Sequence, residues 1–240
     1  MYFRQILHDE KRCASYLVGC ATRSACAAID PQGDPQAYTD QAARGGMKIT
    51  AVIDTHVHAD HVSCARELAA LASAPLYYGP GADVRFGHET LVDGQVLEVG
   101  RRRFTVIHTP GHTPEHVCLA IDDWVVITGD TLFVGDVGRV DLSIDNISKG
   151  EIRDRAAQLH ESLQRLLALP ELTEIYPGHY AGSVCGRGMD SKPISTIGHE
   201  RRENEPFRLS RDEFVDYLTS DLPPLPADFH SIKETNLGLR

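Results

Sequence analysis

Six consecutive residues constrain this chain more than any others: His56-Val57-His58-Ala59-Asp60-His61. Four side chains that can donate lone pairs to a metal fall within that span. The run follows Ile49-Thr50-Ala51-Val52-Ile53, an apolar β-branched stretch that reads as a buried strand. A strand end is rigid, so the loop leaving it can aim several side chains at one point. Histidine supplies a neutral imidazole nitrogen and aspartate a hard anionic oxygen. A solvated loop explains one histidine; H-x-H-x-D-H on the end of a core strand points to a metal centre.

Three later positions repeat the arrangement. His112 lies in Thr109-Pro110-Gly111-His112-Thr113, Asp130 in Thr128-Gly129-Asp130-Thr131, and His179 in Pro177-Gly178-His179. Each follows an apolar run that reads as a strand, and each has a glycine directly before it, which lets backbone approach closely. If the strands share sheets, their ends share an edge and these side chains converge. His108 and His116 flank His112 and are candidates for hydrogen-bonding a ligand. His8, His88, His160, His199 and His230 read as surface or capping residues.

The rest of the chain supports one architecture. Residues 3–7, 15–18 and 25–29 read as a three-stranded meander, and residues 34–44 as a helix stopped by Gly45-Gly46. Strand 48–54, helix 63–72 and strand 75–78 form a βαβ unit. Strands follow at 95–99, 103–108, 116–121 and 124–128, then a long amphipathic helix at 149–169 and a strand at 172–176. Helices are expected at 195–203 and 210–219. The expectation is an α/β (α+β) sandwich of two mixed sheets flanked by helices, one domain over 1–240 with 191–240 as a C-terminal extension.

Composition excludes other classes. The 240 residues carry 24 Lys+Arg against 34 Asp+Glu, a net charge of −10, so a phosphate backbone is repelled and nucleic acid is not expected as a partner. No apolar run approaches the roughly 20 residues of a membrane span. The N-terminus shows no basic-then-apolar leader, and the six cysteines are scattered without a CxxC pair, so a cytoplasmic chain with reduced thiols is expected.

Taken in order, H-x-H-x-D-H, T-P-G-H-T, T-G-D-T-L-F and P-G-H resemble the metallo-β-lactamase superfamily over roughly residues 1–190. The resemblance implies an αββα sandwich with metal at the edge between the sheets. It matches His56, His58, His112 and Asp130 to one metal site, and Asp60, His61 and His179, with Asp130 bridging, to a second. Within the superfamily, Gly135-Asp136-Val137-Gly138-Arg139-Val140-Asp141-Leu142, His112-Thr113-Pro114-Glu115-His116 and Ala181-Gly182-Ser183-Val184-Cys185-Gly186 resemble the persulfide dioxygenases, especially those fused to rhodanese domains. The Pro-rich run from Leu222 resembles the linker of such fusions.

That branch implies one Fe(II) per chain held by His56, His112 and Asp130, with His58 and His179 nearby. It implies a substrate such as glutathione persulfide, oxidised with O2 to sulfite and thiol in sulfide detoxification. Asp60, His61 and Cys185 are the candidates for a catalytic role, Cys185 as a partly exposed thiol activated by Arg187 or the metal. Arg139 and Tyr180 are the candidates for substrate contact, Tyr180 following His179 directly where the mitochondrial type has an Asp-Tyr pair. A homo-oligomer and a separate rhodanese or sulfide:quinone oxidoreductase are the expected protein partners. The alternatives are a glyoxalase II-like thiolesterase with a dinuclear zinc or iron site and a non-catalytic metal- or persulfide-binding sensor.

Overall fold

Alternation of side chains across the strands sorts the apolar residues into three layers. A computed structural model describes residues 1–142, 147–222, 224–225 and 227–240. Strands β1 (Tyr2–His8), β2 (Cys13–Cys20), β3 (Ala25–Ile29), β4 (Lys48–Ile53), β5 (Leu76–Tyr78) and β6 (Glu89–Thr90) lie in that order in the first sheet. Strands β7 (Val96–Val99), β8 (Arg102–His108), β9 (Val117–Ile121), β10 (Val125–Gly129), β11 (Glu174–Pro177) and β12 (Ser195–Thr196) form the second, in reverse spatial order from β12 to β7. Both sheets are mixed: β3–β4–β5–β6 and β10–β11 pair in parallel, the remaining neighbours antiparallel.

On β2, Tyr16 and Val18 face the second sheet while Leu17 faces the opposite way, as a period of two requires. Tyr16, Val18, Ile29 and Ile53 meet Phe104, Leu119, Val125 and Ile127 in the layer between the sheets. Leu17, Ala28 and Val52 pack under α1 (Pro35–Arg44) and α2 (Ala65–Ala72). Cys118, Val126 and Ile175 pack under α3 (Lys149–Leu167) and α5 (Arg211–Ser220). The result is an αββα sandwich. Helix α3 starts at a capping box, Ser148 with Glu151, and buries Ala156, Leu159, Leu163 and Leu166 at helical spacing. Each buried leucine contributes about 1.5–3 kcal/mol.

The expected helix over 195–203 begins two residues late. Ser195 and Thr196 pair with β11 instead, and the Thr196 hydroxyl accepts the N–H of His199, which makes it the N-cap of α4 (Ile197–Glu203). Of the Pro-rich run read as a linker, Pro223 and Pro226 lie outside the described residues. Beyond it, α6 (Phe229–Asn236) docks on the loop after β4, with Phe229 fully buried against Ala59 and Leu142. Among the described residues no helix is long and apolar enough to cross a membrane.

Candidate metal centre

Strand direction brings the motif residues together. Strands β8 and β10 both run antiparallel to β9, and β11 runs parallel to β10, so all three leave the second sheet at one edge. His112, Asp130 and His179 follow those exits. His56, His58, Asp60 and His61 leave β4 in the facing sheet. All seven are no more than 5 % exposed. Glycine makes the approach close enough: a Cβ on Gly178 would lie 2.5 Å from Asp130 Oδ1, and one on Gly129, at φ +48°, would lie 2.6 Å from His116 Nε2.

His56, His112 and Asp130 offer ligand atoms within 4.8 Å of one another. Asp130 Oδ2 is 3.9 Å from His56 Nε2 and 3.5 Å from His112 Nε2. The outer nitrogens are fixed. His112 Nδ1–H donates to the Arg139 carbonyl at 2.7 Å. The Thr55 hydroxyl donates to Asp30 Oδ2, so its oxygen accepts His56 Nδ1–H at 3.0 Å. Both Nε2 lone pairs therefore face Asp130. Burial holds the pKa of both rings down, so they are neutral imidazoles. His58 is turned elsewhere: its Nε2 sits 3.2 Å from Asp30 Oδ1 and 3.9 Å from Asp54 Oδ1. Burial and His61 press its pKa down, but the carboxylates of Asp30 and Asp54 win and raise it.

A second cluster joins Asp60, His61 and His179 with Cys13, again within 4.8 Å. His179 bridges the two clusters, Nδ1 donating to Asp130 Oδ1 at 2.7 Å and Nε2 to Asp60 Oδ2 at 2.8 Å. Burial opposes a charge on this ring, but Asp130, Cys185 and Asp60 raise its pKa well above the ordinary value. Burial likewise works against ionising Asp130, and the His179 charge brings it down to about 2. The His61 ring, against burial, is raised to about 10 by Asp60. Burial would lift the Cys13 thiol, yet His179 and His61 bring it below its usual value.

Do these residues fit a metal? Among the described residues, His56 Nε2, His58 Nδ1, Asp60 Oδ1, His61 Nε2 and Asp130 Oδ2 are buried without a hydrogen-bond partner. Native interiors rarely leave such atoms unpaired. All five lie on the seven residues that converge at this edge, and a bound cation would satisfy the carboxylate oxygens and the neutral ring nitrogen of His56 among them, so the donor set fits.

Three expectations need correction. Cys185 is 1 % exposed rather than partly exposed, and burial pushes its thiol up to about 12; its Sγ lies 4.0 Å from His179 Nε2 and groups with Asp130 and His179. Arg187 does not serve it, because its guanidinium donates to the carbonyls of Tyr217, Leu218 and Asp221 at the end of α5. Arg139 is buried and makes a two-pronged pair with Asp141, 2.7 Å on each prong, and donates to the Val184 carbonyl. Tyr180 turns to the β1–β2 turn, its hydroxyl donating to Asp9 at 3.1 Å. Of the flanking histidines, His116 Nε2 accepts the Asp130 N–H, whereas His108 faces the Pro114 carbonyl.

The sequence reading missed Cys13, which begins a strand. Strand β2 runs antiparallel to β3, and β3 parallel to β4, so β2 starts at the edge where β4 ends. A bridge pairs Cys13 with His179. It also missed α6: Lys233 Nζ donates to the Val57 carbonyl, and Asn236 Nδ2 to the carbonyls of His58 and His61.

The sequence pattern of the metallo-beta-lactamase superfamily matches residues 8–179. A hydroxyacylglutathione hydrolase of Tolumonas auensis is 30 % identical over 88 % of this chain and 76 % of its own length. A metallo-beta-lactamase from Staphylococcus aureus superposes with a TM-score of 0.89 at 32 % identity, covering 98 % of this chain and 72 % of that one. ETHE1 from Myxococcus xanthus superposes with a TM-score of 0.84 at 29 % identity, covering 100 % of both chains. With the pattern spanning both donor clusters and the strands that aim them, the chain belongs to the metallo-β-lactamase superfamily.

Proposed function

We propose that this chain is an iron-dependent persulfide dioxygenase, which converts a thiol persulfide such as glutathione persulfide, with O2 and water, to sulfite and the free thiol. The observation that carries the reading is the donor set of His56, His112 and Asp130. Two neutral imidazoles and one carboxylate suit Fe(II) and leave coordination positions open. Iron held there would supply adjacent positions for dioxygen and for the terminal sulfur of the persulfide.

The chain's own residues do the rest. Thr55 and the Arg139 carbonyl fix the ring orientations. Burial of every donor excludes bulk water, which would compete for the open positions and hydrolyse a reactive sulfur species. His179, held protonated between Asp130 and Asp60, keeps Asp130 ionised and places a positive charge beside the spot where an anionic sulfur arrives. The end-to-end correspondence with ETHE1 from Myxococcus xanthus, over 100 % of both chains, supports the same reading.

One alternative has an observation of its own. Relatives about 30 % identical bear the name hydroxyacylglutathione hydrolase, and the unpartnered Asp60 Oδ1 and His61 Nε2 lie beside the first donor set. A second metal there would suit a thiolesterase. The test is a side-by-side assay of one iron-loaded sample. Oxygen consumption with glutathione persulfide and no hydrolysis of a hydroxyacyl-glutathione thioester is the expected result. Thioester hydrolysis without oxygen uptake overturns the proposal.

A further inference from the structure

A cavity of about 320 Å3 opens between α6, the first half of α3 and the loops that follow β4, β5 and β8. That volume lies at the lower end of the range for small-molecule pockets, about 300–1,000 Å3. None of the seven metal-donor residues lines it, so it is distinct from the metal centre. Val57, which separates His56 from His58, supplies part of its wall.

Two cations line this space, Lys233 and Arg155. Lys233 is 8 % exposed. Its ammonium has three N–H groups, and one hydrogen bond, to the Val57 carbonyl at 3.2 Å, uses one of them. Arg155 is half-buried, and its Nη1 is cut off from solvent with no hydrogen-bond partner. Neither enters an ion pair among the described residues. The carboxylates close by are engaged elsewhere. Glu115 accepts the Val57 N–H through Oε1 at 2.8 Å, Asp83 pairs with Arg85, and Asp141 with Arg139. Burial pulls the Lys233 pKa below its usual value, and the Arg155 charge adds to that effect while Glu115 opposes it. Native interiors rarely strand such donors, and a bound anion would satisfy them. Much of the remaining wall is apolar: Leu142 is buried, and Leu237 and Leu239 follow α6. Leu239 is 54 % exposed, so the apolar lining reaches solvent.

We propose that this cavity binds a small organic carboxylate, its charged head between Lys233 and Arg155 and its short apolar body against the three leucines. A carboxylate has two oxygens and about four lone-pair sites, enough for the free N–H groups of both cations. An inorganic oxyanion would leave the leucines uncovered, and a neutral alkyl molecule would leave the cations unpaired. Lys233 also holds the Val57 carbonyl, so the bound carboxylate sits one residue away from two of the candidate metal donors.

The test is isothermal titration calorimetry on the metal-loaded protein, with octanoate, 1-octanol and inorganic phosphate as probes. Octanoate is expected to bind, and the other two to bind at least about tenfold more weakly, because each meets only half of the recognition. Arg155→Gln touches no metal donor. It is expected to keep its metal and to weaken octanoate at least about tenfold, the loss of a charge-assisted hydrogen bond. Leu239→Asp, at an exposed position where folding tolerates a change, is expected to weaken octanoate at least about fivefold. No octanoate binding to the wild type, or phosphate or 1-octanol bound as tightly, overturns the proposal. Octanoate binding unchanged in either variant also overturns it, the Arg155→Gln result because the carboxylate would then sit on the metal.

Discussion

Replacing Asn236 with alanine should loosen the metal-binding loop without touching any metal donor. The Asn236 side chain is buried and makes three hydrogen bonds to that loop. Nδ2 donates to the carbonyls of His58 at 2.9 Å and His61 at 2.8 Å, and Oδ1 accepts the Ser63 N–H at 3.0 Å. At about 1 kcal/mol for each buried bond, truncation costs about 3 kcal/mol, more if no water reaches the stranded carbonyls. In a chain of this size, 1 kcal/mol shifts Tm by about 2–4 °C, so thermal unfolding should occur about 6–12 °C lower. The loop carries His56, His58, Asp60 and His61, so metal affinity should fall about 10- to 100-fold, as for the loss of other groups that orient ligands. Differential scanning fluorimetry and chelator competition read the two effects. A Tm within about 2 °C of wild type with unchanged metal affinity would refute the role given to α6, and with it the reasoning from buried hydrogen bonds.

Arg139→Ala should act on stability. The guanidinium and Asp141 are 4 % and 10 % exposed, and breaking a buried pair costs about 3–5 kcal/mol, read by urea unfolding; a variant of wild-type stability with a raised KM would return Arg139 to substrate contact. Cys185, buried with its thiol pushed up to about 12, should resist alkylation in the native state and label only on unfolding, so fast native labelling would contradict its placement. Gly178→Ala should lower metal content without removing a donor, because the new Cβ would lie 2.5 Å from Asp130 Oδ1 and must displace it; full metal occupancy in that variant would show that the site tolerates the shift.

The candidate donor residues were legible because their signal is local. His56 to His61, His112, Asp130 and His179 each sit on the exit of an apolar strand, and strand exits can be read along the chain. Cys13 was not, because it opens its strand rather than leaving it. It reaches the same edge only through the antiparallel pairing of β2 with β3, a non-local fact. Arg139 lies in a run that reads as functional, yet Asp141, two residues away, takes its charge. The role of α6 was hidden for a different reason. Lys233 and Asn236 act on carbonyls of Val57, His58 and His61, more than 170 residues distant, and no periodicity in residues 229–236 announces such a partner. The two-residue strands β6 and β12 were missed because they are shorter than any alternation can mark.

The fate of oxygen tests the central claim most directly. Glutathione persulfide is turned over under 18O-labelled dioxygen in unlabelled water, the sulfite is trapped at once by an alkylating reagent, and its mass is read. A dioxygenase acting at the His56, His112 and Asp130 centre predicts sulfite carrying two labelled oxygen atoms and a third from water. Sulfite without label, or release of thiol with no oxygen consumed, would contradict the account.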